Sequence, residues 1–381
     1  MYDIAVIGAG ASGLAAGITA GRVFAGTAGG WHAAPTGRVL LLERLPRAGK
    51  KILATGNGRC NLGNRHALEH PYHNKDFAAC ALEQFSAQAC EVFFDSLGLA
   101  IHGDGEGRLY PRSNTAASVL DALRFGAQRA GCETRCDCPV SSVEPMRDGF
   151  FINKSIAARR VIIAAGGCAA PAQGSDGSGF ALLRSLGHTI VEPRPALVQI
   201  RVKSPLLPML KGLRVQAGIR IMKNGQVLRE AAGEVLFTQD GLSGIAAMEV
   251  SREAGPGCLA VLDLLPDYTE KELAALLSRW QGCCGDLSGL LPGRVAQAVA
   301  KSAGDPKNFT FEVTGTRGFE HAQVTAGGAD VRSFDPRTME SRIVPGLYAC
   351  GEALDVDGGC GGFNLHWAWA SGISAGSSAA S

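Results

Sequence analysis

The chain has 381 residues, enough for two or three domains, and 37 Lys plus Arg against 35 Asp plus Glu leave a formal charge of +2. So balanced a charge supplies no electrostatic footprint for nucleic acid or an anionic membrane surface, and neither is expected as a partner. Only 19% of residues are charged while 51 are Gly, which points to buried strands and tight turns.

An apolar strand follows Met1 almost at once, with no basic leader, apolar stretch or cleavage site before it, so a cytoplasmic location is expected. No apolar run approaches the roughly 20 residues of a membrane span. Twelve cysteines occur, but CxxC is absent, and Cys136-x-Cys138 and Cys283-Cys284 do not match a structural zinc spacing. Free thiols and no metal are expected.

In chain order, residues 2–7 form an apolar strand, 8–13 read GAGASG, and 14–23 continue as a helix of small residues. RVLLLE at 38–43 is a second buried strand, and the intervening AGTAGGWHAAPTG reads as a surface insertion. Residues 54–64, ATGNGRCNLGN, hold too many turn formers for a helix or a strand. His70-Pro-Tyr-His73 lacks a third metal ligand and reads as an exposed loop. Apolar spacing predicts one helix over 75–97, a hairpin at HGDGEGRLYP, and a helix presenting Ala116, Leu120, Leu123 and Ala127 on one face. Residues 132–160 alternate, turn at RDG and feed the strand VIIAAGG.

The texture changes near Glu192. Alternating strands appear, joined at Asn224-Gly225, a strong hairpin signal. Residues 269–303 then read as mostly helical, broken at QGCCGD and LLPG. From Val324 the glycine-rich style returns. The pattern predicts a discontinuous domain, 1–191 with 324–381, interrupted by an insertion at 192–323.

Gly8, Gly10 and Gly13 make a GxGxxG that follows a strand, opens a helix and precedes a strand ending in Glu43. That is the setting of a dinucleotide site, with the pyrophosphate at the helix N-terminus and the acid on the ribose. Glu43 lies 30 residues after Gly13, where about 20 is ordinary, and the insertion accounts for the excess. Further glycine-rich segments, TGNGRCN, VTAGGA and GCGGFNL, suit a flavin ring held by backbone groups better than a bare nicotinamide enzyme.

Over nearly its whole length the chain resembles a family of bacterial FAD-dependent oxidoreductases that includes aminoacetone oxidases and bile-acid enone reductases. The resemblance rests on GAGASGLAA, KKILATGNGRCNLGN, EGRLYPRSNTAASVLDAL, GEVLFTQDGLSG, VTGTRGFEHAQVTAGGA and PGLYACGEALDVDGGCGGFNLHWAWASG. It implies an α/β fold: a Rossmann-like FAD-binding domain (GR2-type) interrupted by a β-barrel (192–241 and 308–323) and a mostly helical subdomain (242–307). By position it implies that Gly8, Ala9, Gly10, Ser12 and Gly13 hold the pyrophosphate and Glu43 the ribose. Arg44 and Lys51 would sit beside the ADP moiety, and Thr55, Gly56, Asn57, Arg59, Cys60 and Asn61 would run toward the flavin. Val140, at a strand end, would contact adenine through its backbone, and Ala165, Gly166 and Gly167 would close a strand near the cofactor. Gly351-Glu352 would bind the ribityl chain, and Gly361, Gly362, Phe363, Asn364 and Leu365 would lie under the ring.

Three positions depart from the family pattern: Gln239 and Ile245 stand where relatives carry His and Pro, and His366 where Gln is usual. Proton donors or substrate clamps are sought among Tyr110, Arg112, Gln239, His366 and Arg59, with Tyr110, His366 and Gln239 as the catalytic candidates. The expected reaction is reduction of an activated C=C bond, as in a 3-oxo-steroid or bile-acid enone. Without a second GxGxxG, NAD(P)H is expected only as a transiently docked electron donor. The alternatives are an oxidase of a small amine or aminoketone that releases hydrogen peroxide, and, more remotely, a flavin-bound RNA-associated protein.

Overall fold

The computed structural model describes residues 1–26, 37–280, 287–302 and 304–381. The insertion read at 25–37 and the helix break at QGCCGD lie wholly or mostly outside the described residues. The contacts divide the chain into two units, Met1–Arg194 with Val324–Ser381, and Pro195–Gln323.

The first strand, Tyr2–Ile7, is central to the first unit. It pairs in parallel with Val39–Leu42 on one side and with Ile156–Ile163 on the other. Glu133–Arg135 extends the sheet beyond Val39–Leu42. Leu347–Ala349 adds in parallel to Val161–Ile163, while the hairpin of Val143–Met146 and Gly149–Ile152 adds antiparallel to the start of the same strand. All four residues of Val39–Leu42 are buried, as a strand covered on both faces requires.

The first helix, Ala11–Phe24, and the C-terminal helix, Phe363–Ala380, meet through small residues. A Cβ on Gly372 would stand 2.3 Å from the Ser12 carbonyl oxygen, and one on Gly376 2.2 Å from that of Ala16. Glycines here let the two backbones touch and bring the start of the last helix into the same layer as the first turn.

The single helix expected over 75–97 is two, Lys75–Gln84 and Ala87–Asp95. Ser86 breaks it by capping the second, its hydroxyl accepting from the Ala89 N–H. Gly63–Asn64, Arg108–Pro111 and Ile101–Gly103 form a small three-stranded sheet, which contains the expected hairpin.

The second unit contains a closed six-stranded barrel: Ile200–Lys203, Gly241–Ser243, Gln226–Phe237, Arg214–Lys223, Leu259–Asp263 and Phe309–Thr316 in spatial order. Asn224 and Gly225 join two of its strands with φ of +51° and +79°, the pair of values a two-residue primed turn demands. Val215, Ala217, Ile219 and Ile221 alternate inward along one strand. The strand Leu259–Asp263 corrects the reading of 242–307 as mostly helical. Its apolar run is too short for periodicity to separate strand from helix, and pairing on both sides decides it. Helices Glu270–Arg279, with a Thr269/Glu272 capping box, and Gly293–Lys301 supply the helical part. Among the described residues no helix is long and apolar enough to cross a membrane.

Candidate cofactor site

After Ile7 the chain turns at Gly8 with φ +102°, a conformation side chains rarely adopt. A Cβ there would also stand 2.4 Å from the Ala164 carbonyl oxygen, and one on Gly13 1.9 Å from that of Gly8. These two glycines seat the first helix against the sheet. Gly10 is different, because nothing lies within 4 Å of a Cβ built on it. It starts the helix without a side-chain cap, so the first-turn N–H groups keep donors toward that open space.

Glu43 follows the second strand and is only 8% exposed. Its Oε2 accepts from the Ala9 N–H at 3.0 Å and its Oε1 from the Leu45 N–H at 2.9 Å. The amides hold the carboxylate in place, and each oxygen retains a lone pair for a further donor. Next in sequence, Arg44 forms an ion pair with Asp176. Burial is the largest influence on the Asp176 carboxyl and pushes it up, but the hydrogen bonds from Arg44 and Ser178 and the Arg44 charge together bring it below its ordinary value.

Lys51 Nζ donates to Glu352 Oε2 at 2.7 Å, and Glu352 Oε1 accepts from the Thr325 N–H at 3.0 Å. The short helical turns of Lys50–Gly58 break at Thr55, with ψ of 146°, and at Gly56 and Asn57, both left-handed. The Cys60 N–H donates to the Thr55 carbonyl at 3.0 Å and closes this kink. Burial pushes the Cys60 thiol up to about 11, which leaves no thiolate for redox work at neutral pH. Arg59 lies over the Tyr110 ring, 4.9 Å from its centroid. Asn61 Oδ1 is buried with no hydrogen-bond partner, and a Cβ on Gly362 would stand 2.4 Å from it.

Gly361 and Gly362, at φ +123° and +94°, lead into the C-terminal helix. Asn364 fixes the preceding turn, its Oδ1 accepting from the Gly358 N–H and its Nδ2 donating to the Gly358 and Gly359 carbonyls. Leu365 is half-buried. Phe363 stacks on His70, the centroids 3.6 Å apart and the planes within 9°. His70 Nε2 accepts from the Gly359 N–H at 2.9 Å, and the Tyr72 hydroxyl donates to the Phe363 carbonyl at 2.9 Å. The segment expected to be an exposed loop is therefore docked on the turn. His73 Nε2 lies 3.2 Å from Asp355 Oδ2, while Asp355 Oδ1 is buried and unpartnered. Both histidines pack against the C-terminal segment, and the ring stacking of His70 leaves no trace in their sequence spacing.

Other expected positions act as spacers. A Cβ on Gly166 would meet Ser175 Oγ at 2.9 Å, one on Gly167 Thr325 Oγ1 at 2.3 Å, and one on Gly351 Ser12 Oγ at 2.7 Å. Ala165 is half-buried beside them. Val140 does not end a strand. It lies in an irregular stretch between Glu133–Arg135 and Val143–Met146, where Pro139 has no N–H for a ladder and Asn153 takes over. The Asn153 amide donates to the Pro139 carbonyl and accepts from the Ser141 N–H.

The catalytic candidates separate clearly. His366 is fully buried, with Nε2 2.9 Å from the Phe85 carbonyl and Nδ1 3.4 Å from the Asn64 N–H. Burial pushes its imidazole below the ordinary value. With its one N–H committed to the Phe85 carbonyl and its other nitrogen to the Asn64 amide, the buried ring has no atom left for a substrate, and its role is structural. Gln239 is exposed in the turn before Gly241–Ser243 of the barrel unit, its Oε1 accepting from Lys211 Nζ at 3.2 Å. Tyr110 is 6% exposed and lies in the small strand Arg108–Pro111, paired with His102. Its hydroxyl has no hydrogen-bond partner among the described residues.

Known proteins are similar to this chain over nearly its whole length. A 3-dehydro-bile acid delta(4,6)-reductase of Clostridium scindens is 36% identical over 417 residues, covering 100% of this chain and 99% of the relative. A ribosomal RNA dihydrouridine synthase of Escherichia coli K12 is 30% identical, covering 97% of this chain and 96% of the relative. With a relative so named, the near-neutral charge of this chain does not exclude nucleic acid as a partner. The solved 3-ketosteroid delta1-dehydrogenase of Sterolibacterium denitrificans has a TM-score of 0.54 at 12% identity, covering 100% of this chain and 99% of that one, and shares the fold. The HI0933-like protein Rossmann domain family matches residues 2–378, and the chain belongs to that family.

Proposed function

We propose that the protein is an FAD-dependent oxidoreductase that saturates a carbon–carbon double bond conjugated to a carbonyl. The observation that carries the cofactor reading is Asn61 Oδ1, buried and without a donor beside the glycine turn that opens the C-terminal helix. Native interiors pair nearly all such atoms, so a ligand bearing N–H or O–H groups belongs there. The open space over Gly10 and the two spare lone pairs of Glu43 fit the diphosphate and ribose of the same ligand. In this reading Glu352 receives the ribityl chain, positioned by Lys51 and the Thr325 amide. FAD supplies hydride transfer when bound, and a reduced nicotinamide delivers electrons to it from outside.

Two relatives support the reaction class. The names of both describe two hydrogens added across a C=C, in a dehydro bile acid and in uracil. In each substrate a neighbouring carbonyl accepts the developing negative charge. Reduction places a hydride equivalent on the β-carbon and a proton on the α-carbon. Tyr110 is proposed as the proton donor, because its hydroxyl is uncommitted and the Arg59 guanidinium packed over its ring holds the side chain in place.

A steroid or bile-acid enone is the preferred substrate class. An RNA uracil is the second reading, and the Escherichia coli relative is what favours it. Protein reduced anaerobically by NADH or NADPH is mixed with a conjugated enone, its saturated ketone, or ribosomal RNA. Reoxidation by the enone alone supports the first reading, and reoxidation by RNA alone the second. Peroxide release with aminoacetone and no response to either acceptor would contradict both.

A further inference from the structure

Residues 171–176 form a strap clamped beside Glu43. Lys50 Nζ donates to the Ala172 carbonyl at 3.0 Å. A Cβ on Gly174 would meet Leu45 Cδ1 at 3.1 Å and stand 3.9 Å from Glu43 Oε1. Ser175 is buried against Gly166, and Asp176 is ion-paired to Arg44. In the middle of this strap Gln173 Oε1 is buried with no hydrogen-bond partner.

The anchors explain why the strap stays, but not why it carries a glutamine. A buried amide oxygen without a donor destabilises the fold that holds it. The donors around it are engaged elsewhere: Lys50 on Ala172, the Leu45 N–H on Glu43 and Arg44 on Asp176. Two acceptors, Gln173 Oε1 and the Glu43 carboxylate, thus belong to neighbouring segments. Phosphate oxygens carry no hydrogen at neutral pH and would be repelled by that pair. An adenosine offers the reverse, a ribose diol and an exocyclic amine, all donors.

We infer that Gln173 is an adenosine-binding residue, its Oε1 accepting a hydrogen bond from the adenosine half of the dinucleotide. The inference rests on the FAD reading above and assigns a residue outside the glycine motif to the cofactor's far end from the flavin.

The test uses apoprotein of the full chain, titrated with FAD and with ADP as a competitor of FAD. Gln173→Leu is expected to weaken both by about 3- to 10-fold. Asn61→Leu is expected to weaken FAD and leave ADP unchanged. Melting adds a readout that a structural role would not reproduce. Removing an orphan acceptor leaves the Gln173→Leu apoprotein at least as stable as wild type, while the added melting temperature from ADP shrinks. Wild-type affinity for FAD and ADP in Gln173→Leu would overturn this inference and leave the FAD reading standing. So would an apoprotein melting well below wild type with its ADP response intact. A wild-type chain that binds neither FAD nor ADP would overturn both.

Discussion

The two units differ in what their polar groups find inside the protein. In the barrel unit, Asp240 accepts from Arg317 and from Gln199, and Gln199 donates also to Thr238. That network closes on itself. In the other unit Asn61 Oδ1, Gln173 Oε1 and Asp355 Oδ1 are buried and find nothing, and the Tyr110 hydroxyl has no partner among the described residues. Folding does not strand acceptors without a return. Unpaired buried acceptors mark where a ligand completes the structure, and a self-satisfied network marks a scaffold.

The largest test of that contrast is Tyr110→Phe. If its free hydroxyl is the proton donor, reoxidation of the reduced protein by an enone slows by about 10²- to 10⁴-fold, with FAD affinity unchanged. Stopped-flow traces and an FAD titration read the two separately. Glu43→Leu comes next. It strips the partner from the Ala9 and Leu45 amides as well as the ribose acceptor, and FAD binding should weaken on the order of 100-fold by fluorescence titration.

A smaller effect sharpens the comparison itself. Asn61→Leu should weaken FAD by about 10-fold without lowering the apoprotein's melting temperature, because the lost acceptor had no partner. Arg317→Leu should do the opposite: it breaks a satisfied but part-exposed pair, costing up to about 1 kcal/mol in denaturant unfolding and leaving FAD affinity alone. If both variants changed stability and neither changed affinity, the distinction between the units would fail.

His366 gives the smallest signal, and its sign is set by burial. The imidazole is held below its ordinary 6.5 in the folded protein, so the unfolded chain binds the proton more readily. Stability is therefore complete above about pH 6.5 and falls as pH drops below it. His366→Gln, which keeps a donor for the Phe85 carbonyl, should flatten that fall in melting curves between pH 7 and 5. His188, also pushed down by burial, leaves a residual slope.

What could be read from the sequence follows the range of the interactions. The Gly8-Gly10-Gly13 turn and the acid at Glu43 are legible because a strand, a turn and a helix start lie within one stretch and each glycine has a local reason. Asn224-Gly225 is legible for the same cause. His366 misleads because the direction a helix face points is a property of packing, and no spacing reports that it faces Phe85 and Asn64. The docking of His70 and Tyr72 on Phe363 joins residues almost 300 positions apart, and their spacing suggested only a poor metal site. Leu259–Asp263 could not be distinguished from helix until its barrel partners were known. Gln173 carries no pattern at all, since one glutamine in a loop gains meaning only when its oxygen is found buried and alone.

The most direct measurement is titration of cofactor-free full-length protein with FAD, followed by calorimetry and the visible flavin spectrum. The expected result is saturable binding of one FAD per chain, with a resolved flavin band and competition by ADP. A protein that stays colourless, gives no heat with FAD and shows no ADP competition would contradict the assignment of the glycine-lined cradle and everything built on it.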